Sequence, residues 1–353
     1  MTPTKKSLSW KKQALFSLII VALFFAAAEV GIRTWTFFFR TPYERYNFAT
    51  GRPELVPNLS RTFRNGNEFR INSKGFVGPE FDARPSTGVY RIIAVGDSCT
   101  FTTGVWNIAY PAVLQSLLNS EAQARRYEVI NAGVEGYNSD FAVERIKREI
   151  IGYRPNLVTI YIGWNDLMKV NPDHSAATGK YNVLAAALDQ SYIVKALKKL
   201  IFIDLRPWLF QPKVEASEAD AHAYDAFLPK RYEENLVSMI RVLRQNGIKV
   251  MIFTLPTVVT PGMSRGDLQR QNVFFPYFAG AYSLDRFLSL HHAYNRVIRS
   301  IGGQYGVPVV DLEEVFNRYD KDELFWDTMH PNEKGNRLIA QTLFAKLQNE
   351  SRS

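Results

Sequence analysis

Cysteine is almost absent from the sequence, since Cys99 is the single one in 353 residues. One thiol cannot form a disulfide within the chain, so the fold must rest on its core rather than on covalent cross-links. The lack of disulfides neither requires nor excludes an oxidising compartment. Tandem repeats and low-complexity tracts are absent as well, which excludes a repeat array. What remains is the composition of an ordinary globular protein, 46% hydrophobic and 22% charged, with room for one large domain or two modest ones.

A basic surface of the kind that binds nucleic acid is also missing, although the formal net charge is +9. Beyond the N-terminus the charges are mixed in sign, as in residues 144–149, where glutamates stand beside arginines and a lysine on a predicted helix. The chain shows neither a basic stripe with base-stacking aromatics nor a known nucleic-acid motif. We therefore do not expect nucleic acid as a partner.

The N-terminal region has the pattern of a membrane anchor. Lysines precede an apolar run over residues 14–28. At 1.5 Å per residue this run is about 22 Å long, short of the ~30 Å hydrocarbon core, and residues 30–35 make up the length. The aromatic residues that suit the membrane–water interface are Trp35, Phe37, Phe38 and Phe39. We predict that residues 1–35 form a basic cytoplasmic tip and a single transmembrane signal anchor.

Two alternatives stay open for this segment. Ala26, Ala27 and Ala28 resemble a small-residue cleavage site, so the run is also compatible with a cleaved signal peptide. A buried helix of a soluble protein is the other option. The anchor and the signal peptide both place the remaining chain outside the cytoplasm, on the periplasmic or cell-surface side.

Residues 36–89 are predicted to form an extended N-terminal appendage packed on the main domain. Proline, glycine, asparagine and arginine are frequent there, and the apolar stretches are short. Residues 69–72, followed by residues 73–76, have the pattern of a strand running into a turn. The prolines and glycines of this region are expected to form turns rather than a functional site.

Over residues 90–349 short apolar strands alternate with helical patterns. The predicted strands are residues 91–95, 127–130, 157–162, 248–253 and 307–310. The predicted helices are residues 109–124, 139–151, 236–245, 285–302 and 334–347. This alternation is typical of a parallel sheet covered by helices on both faces. We predict a three-layer α/β/α sandwich with a five-stranded parallel sheet, whose ligand site lies at the carboxyl ends of the strands.

Two insertions interrupt this pattern, at about residues 168–231 and 257–284. Loops this long in a compact domain are usually lids or binding loops. The first insertion carries an apolar-aromatic patch at residues 200–210. Packing under a lid and contact with a membrane or an acyl chain are both open for this patch.

A serine stands at the predicted carboxyl end of the first strand. Ser98 follows Gly96 and Asp97, so a tight turn there presents its hydroxyl at the edge of the sheet. A nucleophilic serine needs a base, and Asp327 and His330, three residues apart, can meet within one turn. In such a pair the carboxylate holds the imidazole tautomer and stabilises the imidazolium formed during proton transfer. Taken alone, the pair is also compatible with a helix cap and a surface histidine.

Acyl transfer also needs hydrogen-bond donors for the oxyanion. The second and third predicted strands each run into a turn that carries a glycine and an asparagine, at residues 131–139 and 163–166. The backbone N–H of Gly136 and the side-chain amide of Asn165 are the candidates, together with the backbone N–H of Ser98. Glycine turns after strands and Asn-Asp helix caps are the alternatives for these motifs.

Four segments, in this order, resemble the sequence blocks of the SGNH/GDSL hydrolase superfamily. They are Gly-Asp-Ser at residues 96–98, Asn-Ala-Gly-Val-Glu-Gly at 131–136, Gly-Trp-Asn-Asp at 163–166 and Asp-Thr-Met-His-Pro-Asn at 327–332. The resemblance implies a catalytic triad of Ser98, Asp327 and His330. It also implies an oxyanion hole made by Ser98, Gly136 and Asn165.

The likeness covers roughly residues 91–347 apart from the two insertions, which exceed those of compact family members. Cys99 stands where the family commonly has a hydrophobic or other small residue, and we expect it to be a small buried side chain without a catalytic role. Residues 72–76, Asn-Ser-Lys-Gly-Phe, resemble an extension found in anchored bacterial members.

The resemblance implies a serine-dependent esterase, lipase, thioesterase or carbohydrate O-acetylesterase that works without a metal or an organic cofactor. Placement outside the cytoplasm favours a glycan O-acyl group as substrate, and a lipid ester is the second option. An O-acyltransferase acting on envelope or exported polysaccharide would use the same chemistry. A non-catalytic glycan-binding envelope protein is the alternative from another class. His291 and His292 have no cysteine or carboxylate at ligand spacing in the sequence, so no metal site is expected there.

Overall fold

The structure is a computed structural model and describes residues 9–39, 43–47, 52–121, 125–170, 191, 193–194, 197, 217–275 and 283–352. It contains two compact units. The first combines residues 1–42 with residues 179–209, and the second combines residues 43–178 with residues 210–353. The apolar-aromatic patch at residues 200–210 lies outside the described residues, as do residues 171–190 and 276–282 of the two predicted insertions.

The first unit contains a long apolar helix, α1 (Trp10–Phe39). Its 30 residues extend about 45 Å at 1.5 Å per residue, more than the ~30 Å hydrocarbon core of a bilayer. The segment Trp10–Thr34 has a mean hydropathy of 2.5 in its most apolar window, and none of that window is buried. The helix therefore has the length and composition of a membrane span. The side chains of the predicted aromatic belt, from Trp35 onwards, lie outside the described ones.

Two antiparallel hairpins precede the main sheet of the second unit. They are β1 (Glu44–Asn47) with β2 (Arg52–Leu55), and β3 (Leu59–Thr62) with β4 (Glu68–Ile71). The side-chain oxygen of Asn72 accepts the backbone N–H of Lys74 and of Phe76 (3.0 Å each), which closes the turn after β4. Phe76 is fully buried, and Val77 donates its N–H to the carbonyl oxygen of Asn131 in the main sheet (3.1 Å). This segment thus shares the core of the sheet.

The main sheet has five parallel strands, as predicted. They are β5 (Val89–Gly96), β6 (Arg126–Gly133), β7 (Leu157–Tyr161), β8 (Lys249–Phe253) and β9 (Val309–Val310). Their order across the sheet is β6-β5-β7-β8-β9. The fifth strand is shorter than predicted, because only Val309 and Val310 pair with β8. Pro308, just before them, has no N–H for the ladder and contributes only its carbonyl oxygen, which accepts the N–H of Ile252 (3.1 Å).

Helices cover both faces of this sheet. On one face α3 (Tyr110–Glu121) packs against the C-terminal helix α11 (Glu333–Arg352). On the other face α4 (Ser139–Arg148) contacts α7 (Lys230–Gln245), which also contacts α9 (Leu284–Tyr305). The shorter helices are α2 (Ser98–Phe101), α5 (Trp164–Leu167), α6 (Glu218–Ala221), α8 (Arg265–Arg270) and α10 (Leu312–Phe316). The three-layer α/β/α architecture is therefore confirmed.

Two glycines let α2 pack across the carboxyl edge of the sheet. A Cβ atom at Gly96 would lie 2.0 Å from Thr100 Oγ1, and one at Gly133 would lie 2.3 Å from the backbone nitrogen of Phe101. Both distances are far inside van der Waals contact, so any larger residue would push α2 away from β5 and β6. This close packing sets the first residue of α2, Ser98, at the edge of the sheet.

Candidate active site

Ser98 lies where β5 ends and α2 begins. Asp97 caps this short helix: its side chain accepts the backbone N–H of Cys99 (3.0 Å), and its carbonyl oxygen accepts the N–H of Phe101 (2.9 Å). Asp97 is fully buried, and this burial raises the pKa of its carboxyl group to about 6. The cap fixes the backbone that carries the half-buried Ser98 side chain.

The structure brings Ser98, His330 and Asp327 together. His330 Nε2 lies 2.8 Å from Ser98 Oγ, and His330 Nδ1 lies 2.8 Å from Asp327 Oδ2. Asp327 Oδ1 also accepts the backbone N–H groups of Met329 and His330 (3.0 Å each), so the loop itself holds the carboxylate in place. A carboxylate facing Nδ1 favours the tautomer with the proton on that nitrogen. The lone pair of Nε2 then faces the serine hydroxyl.

The electrostatics of the pair favour a basic imidazole. Burial alone lowers the pKa of His330, but the hydrogen bond and the charge of Asp327 outweigh it, and the pKa is raised above that of a free histidine. Burial alone would raise the pKa of Asp327. Hydrogen bonds from the His330 side chain and from the backbone outweigh this effect, so the pKa is lowered. Asp327 is therefore ionised at neutral pH, and His330 is a stronger base than a free imidazole.

Gly136 occupies the turn that follows β6. The N–H of Tyr137 donates to the carbonyl oxygen of Val134 (3.3 Å), and Gly136, at the third position of this turn, has φ +74°. That conformation favours glycine, as in a type II turn. Within the described part of the chain, no acceptor pairs with the backbone N–H of Ser98 or of Gly136. Both N–H groups are thus available to a ligand.

Asn165, in α5, is tied to the same turn. Its Nδ2 donates to the carbonyl oxygen of Tyr137 (2.8 Å), and the amide has a second hydrogen to donate. The neighbouring Asp166 accepts the N–H (2.9 Å) and the hydroxyl (2.6 Å) of Ser139, and burial raises the pKa of its carboxyl group to about 7. The sequence motif includes Asp166 but does not reveal this contact, because Ser139 lies 27 residues away. The turn after β6 and the turn after β7 are therefore held together by two side chains.

Cys99 is buried, as predicted, with 1% of its surface exposed. Its Sγ–H donates to the carbonyl oxygen of Met329 (3.4 Å), next to His330. Burial raises the pKa of the thiol well above its usual range. The group therefore stays protonated and unreactive, and it links α2 to the loop that carries His330.

A comparison with protein-family models finds the GDSL-like lipase/acylhydrolase family over residues 94–338. This stretch is well over half of the chain and includes all four sequence blocks completely. The chain belongs to this family. In this member of the GDSL-like family, the first two blocks begin in the last residues of β5 and β6 and run into the turns that follow. The third block follows β7, and the fourth lies in the loop before α11.

The relatives found are distant in sequence. An acetylxylan esterase of Xylanibacter ruminicola is 22% identical over 272 residues, which are 74% of this chain and 44% of that relative. The chain thus spans less than half the length of this curated relative. Among solved structures, an acetylxylan esterase from Geobacillus stearothermophilus is 17% identical with a TM-score of 0.45, covering 73% of this chain and 93% of that one. A member of the lipolytic protein G-D-S-L family from Veillonella parvula is 14% identical with a TM-score of 0.42, covering 72% and 97%.

Proposed function

We propose that the protein is a serine hydrolase that cleaves carboxylic esters through an acyl-serine intermediate. The observation that carries this proposal is the chain of contacts from Ser98 Oγ to His330 Nε2 (2.8 Å) and from His330 Nδ1 to Asp327 Oδ2 (2.8 Å). A serine in contact with a histidine that a carboxylate orients is the arrangement that activates a hydroxyl for acyl transfer. Membership of the GDSL-like lipase/acylhydrolase family supports the same chemistry.

In the first half of the reaction Ser98 Oγ attacks the carbonyl carbon of the ester, and its proton moves to His330 Nε2. Asp327 stabilises the imidazolium that forms. The bond to the alcohol then breaks, and His330 gives its proton to the departing alkoxide oxygen. In the second half water attacks the acyl-serine and gives a proton to His330, which returns it to Ser98 Oγ as the carboxylic acid leaves.

The negative charge that develops on the carbonyl oxygen needs fixed donors. We assign this role to the backbone N–H groups of Ser98 and Gly136 and to the side-chain amide of Asn165. The turn that carries Gly136 and the Asn165 amide are joined through the Tyr137 carbonyl oxygen (2.8 Å). Donors that are already fixed in place stabilise the oxyanion without reorganising during the reaction.

Replacing Asn165 with alanine is expected to lower kcat by about 10²–10³-fold, as loss of one oxyanion donor usually does. The KM for an acetyl ester should change much less, because the donor acts on charge that develops in the transition state. The matched control is Asn246→Ala, which removes an exposed amide that also donates to a backbone carbonyl oxygen (Val242, 2.8 Å). An Asn165→Ala variant that keeps the wild-type kcat, including one in which only KM rises, would contradict the assignment.

The substrate class that we favour is an O-acetylated carbohydrate. The name of the curated relative, an acetylxylan esterase, supports it. We further propose that α1 anchors the protein and places the second unit outside the cytoplasm, where exported and envelope glycans lie. The length of α1 and its mean hydropathy of 2.5 support the anchor. Release of the full-length protein from membranes by alkaline carbonate would refute it.

The test of the proposed function measures transfer of a labelled acetyl group from an ester to Ser98 and then to water. Wild-type protein is mixed with an activated ester carrying an isotope-labelled acetyl group, in the presence of a xylo-oligosaccharide. We expect transient acetylation of Ser98, detected by mass spectrometry, followed by labelled acetate in solution. Label recovered on the sugar would instead identify an O-acyltransferase. Folded wild-type protein that never becomes acetylated would favour a non-catalytic glycan-binding protein.

A further inference from the structure

His291 and His292 lie on α9, and the fold brings Glu313 of α10 beside them. His291 Nδ1 lies 3.4 Å from Glu313 Oε1, and His292 Nε2 lies 3.7 Å from the same oxygen. The three atoms all lie within 4.8 Å of one another. The sequence shows no carboxylate at ligand spacing from this histidine pair, because the carboxylate that lies beside it comes from a different helix.

The spacing of these atoms suits a tetrahedral metal ion. Bonds of about 2.0–2.1 Å from Zn²⁺ to each ligand atom, at tetrahedral angles, put neighbouring ligand atoms about 3.3–3.4 Å apart. The separations of His291 Nδ1 and His292 Nε2 from Glu313 Oε1, 3.4 Å and 3.7 Å, are close to that value, and the two nitrogens lie within 4.8 Å of each other. Two imidazole nitrogens and one carboxylate oxygen are also a donor set that zinc takes in proteins, with a water as fourth ligand.

His291 is held in the orientation that a metal ligand needs. Its Nε2 donates to the carbonyl oxygen of Leu255 (2.5 Å), which leaves Nδ1 facing the cluster. The ring also stacks on Trp164, with centroids 5.5 Å apart. His291 is 1% exposed, and its Nδ1 has no hydrogen-bond partner among the described residues. Metal-binding histidines usually donate their other ring N–H to a carbonyl or carboxylate oxygen in this way.

Glu313 is oriented as well. Arg299 Nη2 donates to Glu313 Oε2 (2.7 Å), so Oε1 is the oxygen that faces the histidines. Arg299 also pairs with Asp311. The ammonium group of Lys321 donates to the carbonyl oxygen of Thr257 (3.1 Å) and interacts electrostatically with Glu313. The positive charges of Arg299 and Lys321 balance the negative charges of Asp311 and Glu313. The cluster therefore lacks the surplus of oxygen ligands and negative charge that Mg²⁺ and Ca²⁺ require, and its two imidazoles favour a transition-metal ion.

We propose that His291 Nδ1, His292 Nε2 and Glu313 Oε1 bind one Zn²⁺ ion or a similar divalent transition-metal ion. The ion joins α9 to α10, which follows directly after the short strand β9. The ion is a structural link between these two helices, beside the outer strand β9 of the sheet. Its ligands are different residues from Ser98, Asp327 and His330, so this site does not depend on the proposed esterase activity.

The experiment uses the full-length protein in detergent, stripped of metal with a chelator and then titrated with Zn²⁺ by calorimetry. Wild type is expected to bind one Zn²⁺ per chain and to unfold at a higher temperature with Zn²⁺ than without it. Binding of Co²⁺ should give the visible absorption of a tetrahedral site. His292→Ala removes a side chain that is 63% exposed, so it should fold normally and bind Zn²⁺ at least about tenfold more weakly.

The matched control is His222→Ala, which removes another exposed histidine, paired with Asp225 (2.7 Å) and outside the cluster. It should bind Zn²⁺ as the wild type does. Glu313→Gln is the second test variant and should weaken binding without removing side-chain volume. Absence of Zn²⁺ binding in the wild type, equal affinity in the wild type and His292→Ala, or loss of binding in His222→Ala would overturn the proposal.

Discussion

Ser98→Ala is expected to lower kcat for an acetyl ester by about 10⁶-fold. Alanine has no oxygen to bond to the acyl group. The rate that remains comes from direct attack of water on the ester, with the oxyanion stabilised by the same hydrogen-bond donors. Steady-state kinetics with a chromogenic acetyl ester measure this loss. Labelling with a fluorescent fluorophosphonate gives a second readout, because this reagent reports an activated serine hydroxyl. Wild type should label, Ser98→Ala should not, and His330→Ala should label only weakly.

The matched control for this prediction is Ser120→Ala, on α3. Ser120 is exposed, and its hydroxyl donates to the carbonyl oxygen of Leu117 (2.9 Å) within α3 rather than to a residue of the site. Its removal should leave both turnover and labelling unchanged. Label that persists in Ser98→Ala would mean that another serine is the reactive one, and the proposed mechanism would fail.

Asp327→Asn is expected to lower kcat by about 10⁴-fold while the fold stays intact. The asparagine amide can donate a hydrogen to His330 Nδ1, which stabilises the tautomer with the proton on Nε2. That proton then points at Ser98 Oγ, and the ring no longer accepts the serine proton. The control is Asp322→Asn, an exposed carboxylate earlier in the same loop. Comparable losses in both variants would show that the effect is on the loop rather than on the tautomer.

The pH profile separates this role of Asp327 from a merely structural one. Ester hydrolysis needs neutral His330, so kcat/KM should rise as the pH rises through the pKa of this residue. Because the hydrogen bond and charge of Asp327 raise that pKa, the wild-type midpoint should lie above the value of about 6.5 for a free histidine. In Asp327→Asn the charge is gone and burial remains, so the midpoint should move to lower pH. An unchanged midpoint would contradict the role assigned to Asp327.

The sheet and the meeting of the site residues could be predicted from the sequence. Strands of a buried parallel sheet are short apolar runs, and β5 to β8 all stand out in this way. Because the carboxyl ends of parallel strands share one edge, Ser98, Gly136 and Asn165 had to lie along it. Asp327 and His330 are three residues apart, so their contact needs only a local turn.

Features that depend on packing between elements could not be predicted in the same way. The sequence does not reveal the start of α7 at Lys230, six residues before the predicted start, because the first turn of this helix is charged and shows no apolar pattern. The contact between Glu313 and His291 depends on how α9 returns past β9 to α10. Residue spacing alone does not specify how two helices pack, so the sequence does not reveal this contact.

The buried thiol of Cys99 has a practical consequence for locating the protein in cells. The wild-type chain offers maleimide reagents no accessible sulfhydryl, because its single cysteine is 1% exposed and protonated. A cysteine introduced at an exposed position, such as Ser9→Cys before α1 or Ser120→Cys on α3, is then the one reactive thiol in its chain. A membrane-impermeant maleimide applied to intact and to opened cells would report the side on which each position lies, with no native cysteine to remove first.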